Sequence, residues 1–212
     1  MPIKVGIVDD SVMVQSVLER MIDRHEDFQV VGKASDVYEA RTMIMEEDPD
    51  VLTLDVEMPK MDGITFLERL MEHQPMPVIM VSSLTRQTSR KGMEALEKGA
   101  GDVVGKPEGD SSDSIQQLED ELMPKLRAAY RARKTVGRDR SGGTTDEEQL
   151  PDLDHDHYDL ILIGSSTGGG DAIKNIFTEL TDDLPPILVV QHMPPVFTRQ
   201  FSERIDKNSA VN

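Results

Sequence analysis

Two apolar runs in this chain end in carboxylates: Lys4 to Val8 leads into Asp9-Asp10, and Val51 to Leu54 leads into Asp55 just ahead of a Met58-Pro59 turn. A lone Asp that ends a strand ordinarily caps the turn behind it. Two acidic ends are harder to explain as structure, because carboxylates brought together repel and raise one another's pKa unless a cation lies among them. A hard divalent ion with oxygen ligands, Mg²⁺ first among them, relieves that cost. The arrangement then suits phosphoryl transfer, in which a carboxylate is the nucleophile and the ion neutralises the phosphoryl oxygens. A second chemistry lies further along, where Gly164-Ser165-Ser166-Thr167-Gly168 matches G-x-S-x-G, the tight turn that holds a central Ser exposed above a sheet. Such a glycine-rich turn can also cradle phosphate at a helix N-terminus, although this one lacks the Lys-Ser/Thr ending of a P-loop and the full dinucleotide fingerprint. As a nucleophile, Ser166 needs a base, and His192 is the one His that follows it.

These residues must be carried by strands. Val51 to Leu54 is apolar without alternation, as in a strand buried on both faces of a parallel sheet, and in such sheets chemistry collects at the carboxyl ends. Ser11 is placed to cap a helix with Val14, Val17, Leu18, Met21 and Ile22 on one face. Gln29 to Ala34 reads as a second strand. Ser35 or Asp36 caps a helix with Val37, Ala40 and Ile44 inward, stopped at Asp48-Pro49. A helix after Gly63, a strand over Val78 to Val81, a helix over Thr88 to Lys98 and a strand over Asp102 to Val104 complete a strict βα alternation. That pattern predicts a doubly wound, five-stranded parallel α/β sheet of flavodoxin-like type. From Ser114 a last helix is expected, with Pro124 kinking or restarting it. Beyond it, Tyr158 to Ile163 reads as a strand, a helix contains Ile173, Ile176, Phe177 and Leu180, and Ile187 to Gln191 reads as the next parallel strand, ending at His192.

Val8-Asp9-Asp10-Ser11, Leu54 to Gly63, Met80-Val81-Ser82-Ser83 and Gly105-Lys106-Pro107 together resemble the receiver domain of two-component response regulators. The resemblance implies that Asp10 and Asp55 hold Mg²⁺ with the backbone carbonyl of Glu57, and that Asp9 supports the ion. It also implies that Asp55 accepts a phosphoryl group from a histidine kinase, with Ser82 and Lys106 contacting the phosphoryl oxygens. In one departure, Val103 stands where receivers often carry a switching Tyr or Phe, so the switch is expected to run without that aromatic. Ile163 to Gly169 and Gln191-His192-Met193-Pro194 resemble the catalytic domain of chemotaxis protein-glutamate methylesterases, the CheB family. That resemblance implies hydrolysis of methyl-glutamate esters, and deamidation of certain glutamines, on methyl-accepting chemoreceptors. Ser166 would be the nucleophile and His192 the base, with no cofactor in the esterase step and the chemotaxis histidine kinase as upstream partner. The implied organisation is a receiver over 1–126, a charged flexible linker over 127–157 and the N-terminal part of a parallel α/β catalytic domain over 158–212. The family's orienting acid is not matched, since only Glu203 and Asp206 follow His192. A phospho-accepting receiver with an inactive esterase remnant is therefore the competing expectation.

Composition narrows the partners. A net charge of −17 argues against nucleic acid, and no basic recognition helix follows the receiver pattern. The absence of cysteine excludes disulfides and thiolate metal sites. No signal peptide and no apolar run of spanning length is read, so a cytoplasmic protein without direct membrane insertion is expected. In the linker, a basic block (Arg127, Arg131, Arg133, Lys134, Arg138 and Arg140) precedes an acidic one running from Asp146 to Asp159, and the two are expected to pair. Asp154-His155-Asp156-His157 is metal-capable in composition, but no metal is assigned to it.

Overall fold

The apolar runs that end in Asp9 and Asp55 become adjacent strands. In the computed structural model, which describes residues 1–83, 86–107, 111–139, 158–166, 169–181, 184–193 and 195–211, five strands form one parallel sheet in the order β2-β1-β3-β4-β5. They are β1 (Ile3–Val8), β2 (Phe28–Ala34), β3 (Val51–Leu54), β4 (Val78–Ser82) and β5 (Asp102–Gly105). Helices α1 (Val12–Ile22), α2 (Val37–Glu47), α3 (Gly63–His73) and α4 (Arg86–Glu97) make the crossovers, and α5 (Ser112–Asp139) follows β5. Strand order reverses between β1 and β3, the point where open parallel sheets place their chemistry. Register pairs Val8 with Leu54 there, so Asp9 and Asp55 leave the sheet side by side. Ser82 pairs with Gly105, which brings Lys106 to the same edge.

Caps set the helix starts. The Ser11 hydroxyl accepts from the Val14 amide, Asp36 from Tyr38 and Glu39, and Asp62 from Ile64 and Thr65. Alternate strand residues then bury on opposite faces. Ile7, Ile79 and Val81 meet Leu18 and Ile22 of α1 and Leu118 and Leu122 of α5. Leu52, Val78 and Met80 meet α2, α3 and α4 on the other face.

Helix α5 does not restart at Pro124. Leu118, Leu122, Leu126 and Ala129 form a buried stripe at helical spacing, and seating that stripe on the sheet outweighs the hydrogen bond Pro124 cannot donate. The helix also takes in residues 127–139, expected in the linker. Arg127 departs from expectation too: its guanidinium makes two hydrogen bonds to Asp27, at 2.6 and 3.1 Å, and lies over the Phe28 ring. The acidic run 146–157, including Asp154 to His157, lies outside the described residues.

The second part carries β6 (Ile161–Ser165), α6 (Gly169–Glu179), β7 (Ile187–Gln191) and α7 (Pro195–Asn208), with β6 and β7 parallel. Strand β6 starts and ends later than predicted, because the ladder opens at Ile161, whose amide donates to the Pro186 carbonyl. Tyr158 and Leu160 precede the strand and are exposed. Burial alternates along both strands, leaving Leu162, Leu188 and Val190 on an open face. On the other side, Ile173, Phe177, Phe197 and Phe201 join the apolar layer on one face of the five-stranded sheet, with α6 and α7 packed on α4. Ile176, on the same helix as Ile173, is exposed. No described helix is long and apolar enough to cross a membrane.

Candidate functional site

At the carboxyl edge of the five-stranded sheet, Asp9 and Asp55 are buried and Asp10 is exposed, with one carboxylate oxygen of each within 4.8 Å of the others. Burial raises the pKa of Asp9 and Asp55 against the opposing pull of Lys106. Lys106 Nζ lies 2.7 Å from Asp9 Oδ2 and 2.9 Å from Asp55 Oδ2. Burial would lower the Lys106 pKa, but its bonds to the two carboxylates outweigh this and raise it. Three hard oxygen donors around desolvated negative charge fit Mg²⁺. The Glu57 side chain turns away to Lys91 Nζ at 3.3 Å, so the residue has only its carbonyl to offer an ion. Among the described residues, buried Ser82 Oγ has no hydrogen-bond partner. A buried hydroxyl left unpaired is costly, and this one stands at the strand end that leads to the cluster.

The turn behind Asp55 depends on Gly63. A Cβ there would fall 1.8 Å from the Asp55 carbonyl oxygen, and the Gly63 amide donates to Val56 O at 2.9 Å. The loop thus folds back tightly on the residue it follows. Lys60, at φ 71°, occupies the left-handed region and pairs with Asp36.

Ser166 and His192 stand just past β6 and β7, both exposed. The His192 amide donates to Ser165 O at 3.0 Å, and Gln191 Nε2 donates to Ser166 O at 2.9 Å and to His192 O at 3.3 Å. Two strand ends are thereby stitched into one edge. Thr167, Gly168 and Pro194 of these motifs lie outside the described residues. Among the described residues, no carboxylate bonds to His192, and Glu203 is engaged by Arg199 at 2.9 Å. Sequence reasoning missed Gln191, whose position beside His192 at a strand end was the available signal.

Ser166 and His192 open on a cleft whose other wall belongs to the five-stranded part, at Leu96, Asp102 and Val103. Phe197 closes it, 2 % exposed. Its ring lies where a Cβ on Gly92 would stand, 2.7 Å from that point, with Val103 alongside. The space beside Val103 therefore takes a ring from the second segment. Arg204 adds an ion pair to Glu97 of α4 at 2.8 Å.

Residues 5–118 match the response regulator receiver domain family, and residues 161–212 match the CheB methylesterase family. Over 96% of its length the chain is 48% identical to a protein-glutamate methylesterase/protein-glutamine glutaminase of Cupriavidus pinatubonensis, of which it covers 57%. A second protein of that description, from Dechloromonas aromatica, is 46% identical over 97% of the chain, with 60% of the relative covered. The chain thus spans under two thirds of these relatives. The crystal structure of the response regulator domain of Thermotoga maritima CheB superposes with a TM-score of 0.56 at 43% identity, covering 62% of this chain and 98% of that one. With a receiver first and a methylesterase-type segment behind it, this chain belongs to the response regulator receiver family, in its CheB branch.

Proposed function

We propose that this chain serves a phosphorylation-regulated protein-glutamate methylesterase and glutamine deamidase that acts on methyl-accepting chemoreceptors, in the cytoplasm, under a chemotaxis histidine kinase. What supports it is the stitched edge that holds Ser166 and His192 against a wall of the receiver.

In the receiver, an Asp55 carboxylate oxygen attacks the phosphorus of a phosphohistidine, and the histidine nitrogen leaves as the acyl phosphate forms. Asp9, Asp10, Asp55 and the Glu57 carbonyl are the groups that would hold Mg²⁺, which when bound neutralises charge on the phosphoryl oxygens. Lys106 already sits between the two buried carboxylates and follows the new negative charge, while Ser82 Oγ donates to a phosphoryl oxygen.

In the second segment, Ser166 Oγ attacks the ester carbonyl as His192 takes its proton. His192 returns that proton to the departing methoxide, releasing methanol, or to the departing amine, releasing ammonia. Water then attacks the acyl-enzyme by the same route, freeing glutamate and Ser166.

The test is methanol release from methylated chemoreceptor by the complete protein, with Mg²⁺, with and without a small-molecule phosphodonor. Ser166→Ala should abolish release, and Asp55→Asn should abolish both phosphoryl labelling and stimulation by the donor. Turnover retained by Ser166→Ala would overturn the assignment of the nucleophile, and labelling retained by Asp55→Asn that of the phosphoacceptor.

A further inference from the structure

Helices α2 and α3 lie on the same face of the receiver sheet, but α2 packs on β2 and β1 while α3 leans on α4. Between them opens a groove of about 510 Å³ that shares no residue with the acidic cluster or the Ser166 cleft. Its floor is apolar and buried, made by Ile44, Phe66 and Leu70. Tyr38 and Met45 stand in its wall, 65% and 69% exposed, where a self-contained receiver has no need of large apolar side chains.

The charge of the groove runs against that of the molecule. The chain carries −17 overall, yet Arg41 and Arg69 line the groove and, among the described residues, no acidic one does. Arg41 follows Tyr38 and precedes Met45 at i, i+3 and i+7 of α2, and Arg69 precedes Leu70 on α3, so one arginine edges the apolar floor on each side. Among the described residues, Arg41 and Arg69 have no ion-pair partner.

We propose that the α2–α3 groove docks an acidic amphipathic helix of a partner protein. Leu or Phe side chains at i, i+3, i+4 and i+7 would enter the floor, and flanking Asp or Glu would meet Arg41 and Arg69. A long polyanion would suffer the repulsion of the whole acidic surface, whereas a short helix meets only the local field.

The experiment uses the full chain and a fluorescent synthetic helix about four turns long, with Leu at the i, i+3, i+4 and i+7 positions and Glu on its flanks, read by anisotropy. Binding that weakens with added salt is expected. It should fall about tenfold or more in Arg41→Glu/Arg69→Glu, and comparably in Met45→Glu, while both variants keep wild-type labelling by a phosphodonor as proof of fold. The same peptide with Lys in place of Glu should not bind. Binding of the Lys peptide as well as the Glu peptide, or unchanged affinity in Arg41→Glu/Arg69→Glu, would overturn the proposal. So would concentration-dependent dimerisation of the chain that these substitutions abolish, because the occupant would then be a second copy.

Discussion

Replacing Phe197 by Ala should release the second segment from the receiver without harming the receiver itself. The ring is 2 % exposed and bears on Gly92 of α4 and on Val103 of β5. A Phe side chain buries roughly 150–250 Å², and at about 25 cal/mol per Å² its removal costs roughly 4–6 kcal/mol, close to the ~3–5 kcal/mol of measured Phe→Ala substitutions in cores. What remains at the contact is Phe201 with Ile173 and Phe177 of the same apolar layer, and the Arg204–Glu97 pair, and a partly exposed ion pair contributes about 1 kcal/mol at most. A segment of two strands and two helices with an open sheet face has little other core to fall back on. The assay is amide hydrogen exchange on the full chain. Amides of β6, α6 and β7 should exchange about a hundredfold faster or more, since each 1.4 kcal/mol is a factor of about ten, while β1, β3 and β4 keep their protection. Unchanged exchange in β6 and β7 would show that Phe197 does not hold the segment to α4 in solution. Equal loss of protection in β1 and β3 would show instead that the two parts open as one unit.

Two further outcomes follow from the acidic cluster. Lys106→Met leaves Asp9 and Asp55 buried without their cation and should cost about 3–5 kcal/mol at neutral pH. Both carboxyls already have raised pKa values through burial, so their favourable contribution exists below the unfolded carboxylate pKa and is lost as pH rises through the folded one. Urea unfolding should therefore show the deficit of Lys106→Met shrinking on acidification, and a deficit independent of pH would refute a charge origin. Gly63→Ala drives a methyl into the Asp55 carbonyl, 1.8 Å from the added carbon, and should destabilise the receiver by about 1–3 kcal/mol while slowing phosphodonor labelling. Labelling at the wild-type rate would mean that this turn does not set the geometry of Asp55.

That Asp9 and Asp55 would meet at one sheet edge was legible in the sequence, because each ends an apolar run and parallel topology brings such ends together; Ser82 and Lys106 were singled out by the resemblance alone, and the register of β4 and β5 brings them to that edge too. The G-x-S-x-G turn and the apolar run before His192 likewise foretold that Ser166 and His192 end neighbouring strands. Contacts made across the fold were not legible. Nothing local marks Phe197 as the ring that fills the space beside Val103, because that depends on how α7 meets α4. Lys125 is another case, 1% exposed on α5 and held by Asp102 Oδ1 and Val103 O at 3.0 Å each, partners that lie more than twenty residues away in the chain. Pro124 misled for the opposite reason: a strong local rule lost to the buried stripe around it. The shift of β6 by three residues at its start reflects pairing with β7, which an apolar run does not encode.

The dependence of the second segment on α4 also has an order in time. The receiver is made of successive βα units in one unbroken stretch of chain, and as the N-terminal part it leaves the ribosome first and can fold as a unit during synthesis. When Ile161 to Asn208 emerges, the α4 surface that accepts Phe197 and Phe201 is already in place. The receiver thus serves as a nascent-chain template, and a lesion that slows formation of α4 would surface as misfolding of a segment synthesised well after it.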